Sequence, residues 1–112
     1  LAATLCELGQ ASGCAVEIDE ASLPLSDPVR GGLELLGLDP LFVANEGKLC
    51  AVVPDAAADP ALAAWRAHPL GRSAAAVGRF IAGRPGALVV RTQVGGRRQV
   101  ELPLTDPLPR IC

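Results

Sequence analysis

Aromatic side chains and long apolar stretches are both scarce in this sequence. Two Phe and one Trp make up the 3% of residues that are aromatic, and Tyr is absent. The sequence therefore offers no row of rings on which nucleic-acid bases could stack. No uninterrupted apolar run approaches the roughly 18 residues of a membrane-spanning helix, and no signal-peptide pattern is present. We expect neither nucleic acid nor a membrane as a partner.

An excess of charge of one sign is also lacking. Ten basic and twelve acidic residues give a formal net charge of −2, so phosphate backbones should not attract the chain in general. The only concentration of basic residues, Arg91, Arg97 and Arg98, falls on a predicted hairpin that contains no aromatic residue. This composition again argues against nucleic-acid binding.

Motifs that hold nucleotides or metals are missing. The sequence contains neither Gly-x-x-x-x-Gly-Lys-Ser/Thr nor Gly-x-Gly-x-x-Gly, so nothing in it by itself cradles a nucleotide phosphate. No two cysteines have C-x-x-C spacing, and we expect no metal site. His68 lies at a predicted helix C-terminus, where the helix dipole favours it, and we interpret it as structural.

Methionine is absent as well. The opening residues, 1–8, have the pattern of the interior of an amphipathic helix rather than of a chain start. We therefore expect the 112 residues to be one domain with a sizeable core, cut from a longer protein.

Cysteine is present four times, as Cys6, Cys14, Cys50 and Cys112. An even count permits two disulfides, but a chain that is 50% hydrophobic does not need such cross-links. We interpret the first three as reduced, small core residues of a cytosolic protein.

Cys112 differs because it is the last residue of a proline-rich tail, residues 103–112. Pro103, Pro107 and Pro109 lack the amide hydrogen that helices and central strands need, so the tail is predicted to be extended and polyproline-like. Such an arm could carry the thiol about 30 Å. A nucleophile on a long arm suggests a group carrier, and the alternative is a frayed end that happens to finish in cysteine.

The preceding residues, 1–102, are predicted to alternate between helices and strands. Two Asp-Pro pairs, at 27–28 and 59–60, are expected to begin helices, with Asp capping free amides and Pro at the first helical position. A third pair, at 39–40, is expected to turn the chain into a strand. The predicted helices are 1–8, 29–36 and 61–68, and the predicted strands are 15–18, 41–44, 49–53, 86–93 and 97–102.

These strands form two predicted hairpins, one around the loop 45–48 and one around the loop 94–96. Residues 73–82 are ambiguous between helix and strand. The natural architecture is an α+β fold, an α/β sandwich in which helices cover a mostly antiparallel sheet.

The loop 45–48 has the densest functional chemistry within the domain. Asn45, Glu46 and Lys48 supply an amide, a carboxylate and an ammonium group, and Gly47 would allow a ligand to approach the backbone. Such a loop could bind a ligand or transfer a proton. The alternative is a solvated hairpin turn, since Asn and Gly are favoured in turns.

Several stretches together resemble one known family. They are residues 13–20 (Gly-Cys-Ala-Val-Glu-Ile-Asp-Glu), 35–48 (Leu-Leu-Gly-Leu-Asp-Pro-Leu-Phe-Val-Ala-Asn-Glu-Gly-Lys), 68–72 (His-Pro-Leu-Gly-Arg) and the ending 108–112 (Leu-Pro-Arg-Ile-Cys). The chain is similar over essentially its whole length to the C-terminal domain of the HypE hydrogenase maturation factors, in the PurM-like (AIR synthase-related) superfamily. The Ala-Asn-Glu-Gly-Lys stretch and the Pro-Arg-Ile-Cys ending are the specific signals.

The resemblance implies a carrier role for Cys112. In this family the terminal cysteine receives a carbamoyl group from the carbamoyltransferase HypF. With ATP and Mg²⁺ the group is dehydrated to a thiocyanate, and cyanide then passes to iron on the HypC–HypD complex for [NiFe]-hydrogenase. The resemblance also implies a homodimeric full-length protein, with the ATP site mainly in an N-terminal domain that is absent here.

Further expectations follow from the resemblance. The isolated chain should be inactive and hold no cofactor, and residues 73–82 should contain a strand. Glu46 is the candidate base or orienting group for the amide, with Asn45 as its hydrogen-bonding neighbour. The alternatives are a non-catalytic interaction module, or a domain of another PurM-like ATP-dependent synthetase or kinase.

Overall fold

The computed structural model describes residues 1–102, so that the tail 103–112 and Cys112 lie outside the described residues. Within this range the chain forms three α-helices, four strands and three short 3-10 turns. In chain order the main elements are α1 (Ala2–Ser12), β1 (Ala15–Asp19), α2 (Asp27–Leu36), α3 (Ala58–Ala67), β2 (Gly78–Ile81), β3 (Leu88–Arg91) and β4 (Arg97–Val100). No helix among residues 1–102 is long and apolar enough to cross a membrane.

The four strands form one mixed sheet in the order β2-β1-β3-β4. β1 pairs antiparallel with β2, with Ala15 opposite Ile81. It pairs in parallel with β3 on its other side, with Val16 opposite Leu88. β3 and β4 form an antiparallel hairpin. Two of the three pairings are antiparallel, which confirms the predicted α+β fold with a mostly antiparallel sheet.

The hydrophobic core lies between α1 and one face of the sheet. Alternate residues of β1 and β3 point into it, as the two-residue period of a strand requires. Its largest fully buried side chains are Val16, Ile18, Leu88 and Val90. Burying each contributes roughly 1.5–3 kcal/mol relative to leaving it exposed. The helix supplies Ala2 and Leu5, and Leu23 and Leu41 close the core from the loops.

α1 lies close to the sheet because glycine occupies the contact. A Cβ on Gly9 would lie 3.0 Å from the carbonyl oxygen of Cys14 and 3.1 Å from a Val16 methyl carbon. The helix ends at Gly13, whose left-handed φ of 72° is the usual helix C-cap conformation. The sequence therefore specifies both how near the helix packs and where it stops.

The second predicted hairpin is confirmed. Thr92 and Gly96 close its turn through a backbone hydrogen bond of 2.8 Å, and Gly95 has a φ of 85°. Within residues 73–82 the structure has a strand, β2. This confirms what the family resemblance implied, whereas the alanines of this stretch favour a helix. A Cβ on Gly78 would overlap the carbonyl oxygen of Glu17, so this strand can lie against β1 only because residue 78 is glycine.

The first predicted hairpin is wrong, because no strand occurs at residues 41–53. The Leu41 amide donates to Asp39 Oδ1 at 2.9 Å, and the Phe42 amide donates to the Asp39 carbonyl at 3.1 Å. These bonds make a tight turn after the Asp-Pro pair. Leu41 is buried, and its carbonyl accepts from the Ala2 amide at 3.0 Å. The start of the expected strand therefore anchors α1 instead.

The predicted capping by aspartate is also wrong. Ser26 is the N-cap of α2, and Asp27 lies inside its first turn. α3 begins at Ala58, so Asp59 is likewise a first-turn residue. Neither helix has a side-chain cap hydrogen bond. A carboxylate in the first turn still stabilises the helix through the dipole, which accounts for acidic residues at these positions.

Candidate functional site

The loop 45–48 follows the Asp39 turn and is exposed along its whole length. Gly47 has a φ of 73°, in the left-handed region that favours glycine, and open space surrounds the position of its absent Cβ. The prediction that this loop is the turn of a hairpin is therefore wrong. It is a projecting loop whose backbone a ligand can approach.

Hydrogen bonding within the loop separates its two charged side chains. In the amide orientation that satisfies both groups, the Asn45 side chain donates to the Glu46 carbonyl at 3.3 Å and accepts from Lys48 Nζ at 3.3 Å. The Glu46 carboxylate forms no ion pair within residues 1–102. Asn45 thus holds the ammonium group and the backbone, and the carboxylate is available to a ligand.

Cys112 lies outside the described residues, so the structure does not place it relative to this loop. The last strand before the tail ends at Val100, which is buried and lies opposite Leu88. Leu102, the last described residue, is 44% exposed. The chain therefore leaves the core at the β4 edge of the sheet.

The other three cysteines are free thiols and all are half-buried. The prediction that they are core residues is confirmed for Cys6 and Cys50 and is wrong for Cys14. Cys6 and Cys50 pack against the core, while Cys14 Sγ donates to the Ser12 carbonyl at 3.6 Å. Burial, helped by the Glu7 carboxylate, raises the pKa of the Cys6 thiol. A thiol that stays protonated is a poor nucleophile, so Cys6 is suited to packing rather than to group transfer.

His68 has the structural role that was predicted for it. It follows the last residue of α3, and its Nδ1 accepts from the Leu70 amide at 3.2 Å. A Cβ on Gly71 would overlap the carbonyl oxygen of Trp65. The His-Pro-Leu-Gly-Arg stretch is therefore a tight turn that stops α3.

Three ion pairs engage the basic residues of the β3–β4 hairpin, and the sequence did not reveal their partners. Arg91 pairs with Asp19 at 2.6 Å, Arg97 with Glu17 at 2.9 Å, and Arg98 with Asp39 at 2.8 Å. The partners are 59 to 80 positions away in sequence, and only the pairing of β1 with β3 brings the first two close. The hydrogen bonds from Arg91 and the Ala21 amide lower the pKa of Asp19.

Two cavities lie among the described residues, and neither includes the loop 45–48. One, of about 320 Å³, lies between α2 and the tip of the β3–β4 hairpin and is lined by both leucines and polar side chains, including Glu20 and Arg30. The other, of about 490 Å³, is an open cleft beside Cys6 and Arg84. Among residues 1–102 no three His, Cys, Asp or Glu side chains are grouped so that they could hold a metal ion.

Comparison with known proteins identifies the family. Residues 1–91 match the family described as AIR synthase related protein, C-terminal domain. The chain is 49% identical over 112 residues to a carbamoyl dehydratase HypE of Rhodobacter capsulatus, covering 100% of the chain and 33% of that protein. It is 47% identical over 106 residues to the carbamoyl dehydratase HypE of Escherichia coli K12, covering 95% and 31%. The chain thus spans about a third of the length of these relatives.

Solved structures agree with this assignment. A crystal structure of the hydrogenase maturation protein HypE matches with a TM-score of 0.91 and 39% identity, over 100% of the chain and 37% of that protein. HypE in complex with ATP matches with a TM-score of 0.87 and 37% identity, over 96% and 34%. A HypE–HypF complex matches at 0.84 and 32%, over 91% and 33%. The chain belongs to the AIR synthase related protein C-terminal domain family, and within it to the HypE hydrogenase maturation proteins.

Proposed function

We propose that this chain is the C-terminal part of a carbamoyl dehydratase, with residues 1–102 as its folded domain and residues 103–112 as the tail that presents Cys112. The observation that carries the proposal is the 49% identity to a carbamoyl dehydratase HypE over all 112 residues, so that the aligned region extends to position 112. The exposed loop 45–48 supports it, because a dehydratase needs a polar group that its substrate can reach.

The proposed chemistry begins at the Cys112 sulfur. The thiolate forms a bond to the carbonyl carbon of a carbamoyl group delivered by HypF, and the bond from that carbon to its carrier group on HypF breaks, which gives an S-carbamoyl cysteine and the released carrier. Conversion to a thiocyanate requires that the carbamoyl oxygen leave and that both amide protons be removed. ATP with Mg²⁺, bound mainly by the rest of the longer protein, would supply the phosphoryl group that makes this oxygen a leaving group. The products balance as thiocyanate, ADP, phosphate and one proton.

Glu46 is the proposed base or orienting group for the carbamoyl nitrogen, with Asn45 as its hydrogen-bonding neighbour. The structure supports this role in two ways. The carboxylate is exposed and lacks an ion-pair partner within residues 1–102, and Asn45 engages Lys48, the nearest cation in the loop. A positioned carboxylate of this kind typically contributes a factor of about 10²–10⁴ to the rate of a proton transfer.

The proposed partners are HypF and the HypC–HypD complex, which takes the cyanide for the hydrogenase iron in the cytoplasm. A HypE–HypF complex among the similar structures supports the first, and HypE in complex with ATP supports the nucleotide. We propose that the nucleotide and Mg²⁺ site is formed mainly by the rest of the longer protein. We also propose that the longer protein is a homodimer and that the isolated chain is inactive.

Mass spectrometry tests the proposal. The longer protein is incubated with HypF, carbamoyl phosphate and ATP, and its C-terminal peptide is weighed. We expect the peptide to gain a carbamoyl group and then to lose one water. Cys112→Ala should abolish both changes without altering thermal unfolding, because a terminal residue contributes little to a core. Cys14→Ala is the matched control and should leave both intact. Absence of an adduct from Cys112 would contradict the proposal and favour an interaction module.

A further inference from the structure

Residues 43–53 comprise the polar loop 45–48 and the apolar stretch 49–53, and their backbone is unpaired within the described part of the chain. None of these residues makes a backbone-to-backbone hydrogen bond with any of residues 1–102. Several large side chains of the stretch 49–53 are exposed as well: Leu49 is 80% exposed, Val52 53% and Val53 40%. Sequences of this kind normally satisfy their backbone groups in a sheet.

The composition of residues 49–53 sets them apart from the true edges of the sheet. The two edge strands carry charged residues, Arg79 on β2 and Arg97 and Arg98 on β4. Charge on an edge strand discourages pairing with other strands. Residues 49–53, Leu-Cys-Ala-Val-Val, contain no charge and no proline. Residues 49–53 therefore have the composition of a strand that is paired within a sheet rather than of an exposed edge strand.

We propose that residues 49–53 pair, by strand addition, with a strand from the remainder of the longer polypeptide. The inference rests on the proposed function only in taking this chain to be part of a longer HypE protein. The relatives leave room for such a strand, because about two thirds of their length lies outside the match.

The contacts of the first two residues favour this occupant. The Leu1 amine donates to the Leu41 carbonyl at 3.3 Å, and the Ala2 amide donates to the same oxygen at 3.0 Å. In the proposed longer protein, polypeptide that leads into Leu1 would therefore lie two positions from the start of the segment 43–53. The chain's own tail is a poor candidate, because Pro103, Pro107 and Pro109 lack the amide hydrogens that a ladder needs.

The pairing would also position the candidate site. The loop 45–48 directly precedes residues 49–53, so a strand docked there would fix Glu46 at the boundary between this domain and the rest of the protein. A loop that projects freely in this chain would then be held against the part that binds ATP. This arrangement explains why a candidate catalytic loop has so few contacts of its own within residues 1–102.

Hydrogen–deuterium exchange tests the proposal. Amides 49–53 are followed in the 112-residue chain alone and in the longer protein, with no ATP or carbamoyl phosphate present. We expect rapid exchange in the chain alone and exchange at least about tenfold slower in the longer protein. Equally rapid exchange in both would overturn the proposal. Protection in the chain alone that grows with protein concentration, with a dimer by light scattering, would assign the segment to a second copy and also overturn it.

A pair of proline variants sharpens the result. Successive amides of a strand point to opposite sides, so only one of Val52 and Val53 can donate to a strand docked on one side. In the longer protein, one of Val52→Pro and Val53→Pro should abolish the slow exchange and the other should largely retain it. Neither should change the thermal unfolding of the chain alone. Equal effects of the two variants in the longer protein would contradict pairing.

The exchange measurement is independent of the dehydratase chemistry. Cys112→Ala should leave the protection of amides 49–53 unchanged in the longer protein. If the carbamoyl adduct failed to form but the protection were present, the proposed function would be wrong and the interface would stand. If the adduct formed and the protection were absent, the proposed function would stand and the proposed strand pairing would be wrong.

Discussion

At Glu46 the carboxylate stands beside a glycine in the left-handed conformation and opposite no cation of the described chain. Lys48 is only two positions away, but the Asn45 amide oxygen lies 3.3 Å from its Nζ. Lys48 therefore contacts the Asn45 amide rather than the Glu46 carboxylate. This arrangement depends on the amide of Asn45 and on the conformation of Gly47. Both residue types are also favoured in ordinary turns, so the sequence alone does not distinguish a binding loop from a turn.

We predict that Glu46→Gln in the longer protein slows dehydration of carbamoylated Cys112 by about 10²-fold or more, because the amide cannot accept the proton. Carbamoylation itself should continue at the normal rate, since it does not use Glu46. Mass spectrometry of the C-terminal peptide separates the two steps. Glu34→Gln, on the exposed part of α2, is the control and should change neither. Normal dehydration in a folded Glu46→Gln protein would exclude Glu46 from the reaction.

The ion pair between Asp19 and Arg91 makes stability depend on pH in a specific direction. The hydrogen bond from Arg91 holds the pKa of Asp19 below its ordinary value in the folded chain. The unfolded chain therefore binds a proton more readily, so the contribution of the pair is present above the ordinary aspartate pKa of about 3.9 and is lost as pH falls below it.

We predict that thermal unfolding temperature falls between pH 5 and pH 2.5, and that Asp19→Asn reduces this fall. Asparagine can still accept from the Ala21 amide as Asp19 does now, so the variant removes the charge and leaves an acceptor in place. Because Arg91 is exposed and Asp19 is only partly buried, the effect should be small. An Asp19→Asn chain with an undiminished pH dependence would show that the pair does not contribute.

Among the elements, α1 and β2 can pack as closely as they do only because each has a glycine at the point of contact. The glycines on α2 have no such contact. Gly9 and Gly78 lie where a Cβ would meet neighbouring backbone. Gly31 lies on α2 in open space, on a helix that contains no fully buried residue. Identical residues therefore carry opposite energetic consequences, and the sequence alone does not distinguish them.

We predict that Gly78→Ala destabilises the chain by about 1–3 kcal/mol or more, because its Cβ would overlap the Glu17 carbonyl oxygen and lie 2.7 Å from Ile18 Cα. Gly31→Ala is the matched control and should stabilise it by about 0.5–1 kcal/mol, since alanine reduces the freedom of the unfolded chain without a clash. Urea unfolding of both variants measures the difference. Similar effects of the two substitutions would contradict the close approach of β2 and β1.

The predicted hairpin at residues 41–53 failed for a reason that belongs to the level of elements. Local propensity for a strand is real in residues 49–53, but a strand also needs a partner with free backbone groups. Leu41 is instead buried against the core, and its carbonyl is taken by Leu1 and Ala2. The second hairpin succeeded because β3 and β4 are joined by a short glycine turn and need no distant partner.

For the whole molecule, the distribution of exposed apolar side chains is the main feature. Leu35 is 88% exposed, Leu49 80% and Leu70 90%, although α1 and the sheet bury a well-defined core. Large apolar side chains that remain exposed on several elements are typical of surfaces that other protein covers. The chain spans about a third of its relatives' length, which agrees with the strand partner that we propose for residues 49–53.

Local sequence was enough to predict the three helices, β1 and the β3–β4 hairpin, because hydrophobic periodicity, proline and glycine act over a few neighbouring residues. The family was predicted separately, from the resemblance of residues 13–20, 35–48, 68–72 and 108–112. The tertiary structure alone decided the parallel pairing of β1 with β3, the carboxylate partners of the hairpin arginines and the unpaired state of residues 43–53. Each of these features depends on which of several groups, distant in sequence, pairs with a given backbone strand or a given charged side chain. That competition is settled only when the whole chain packs.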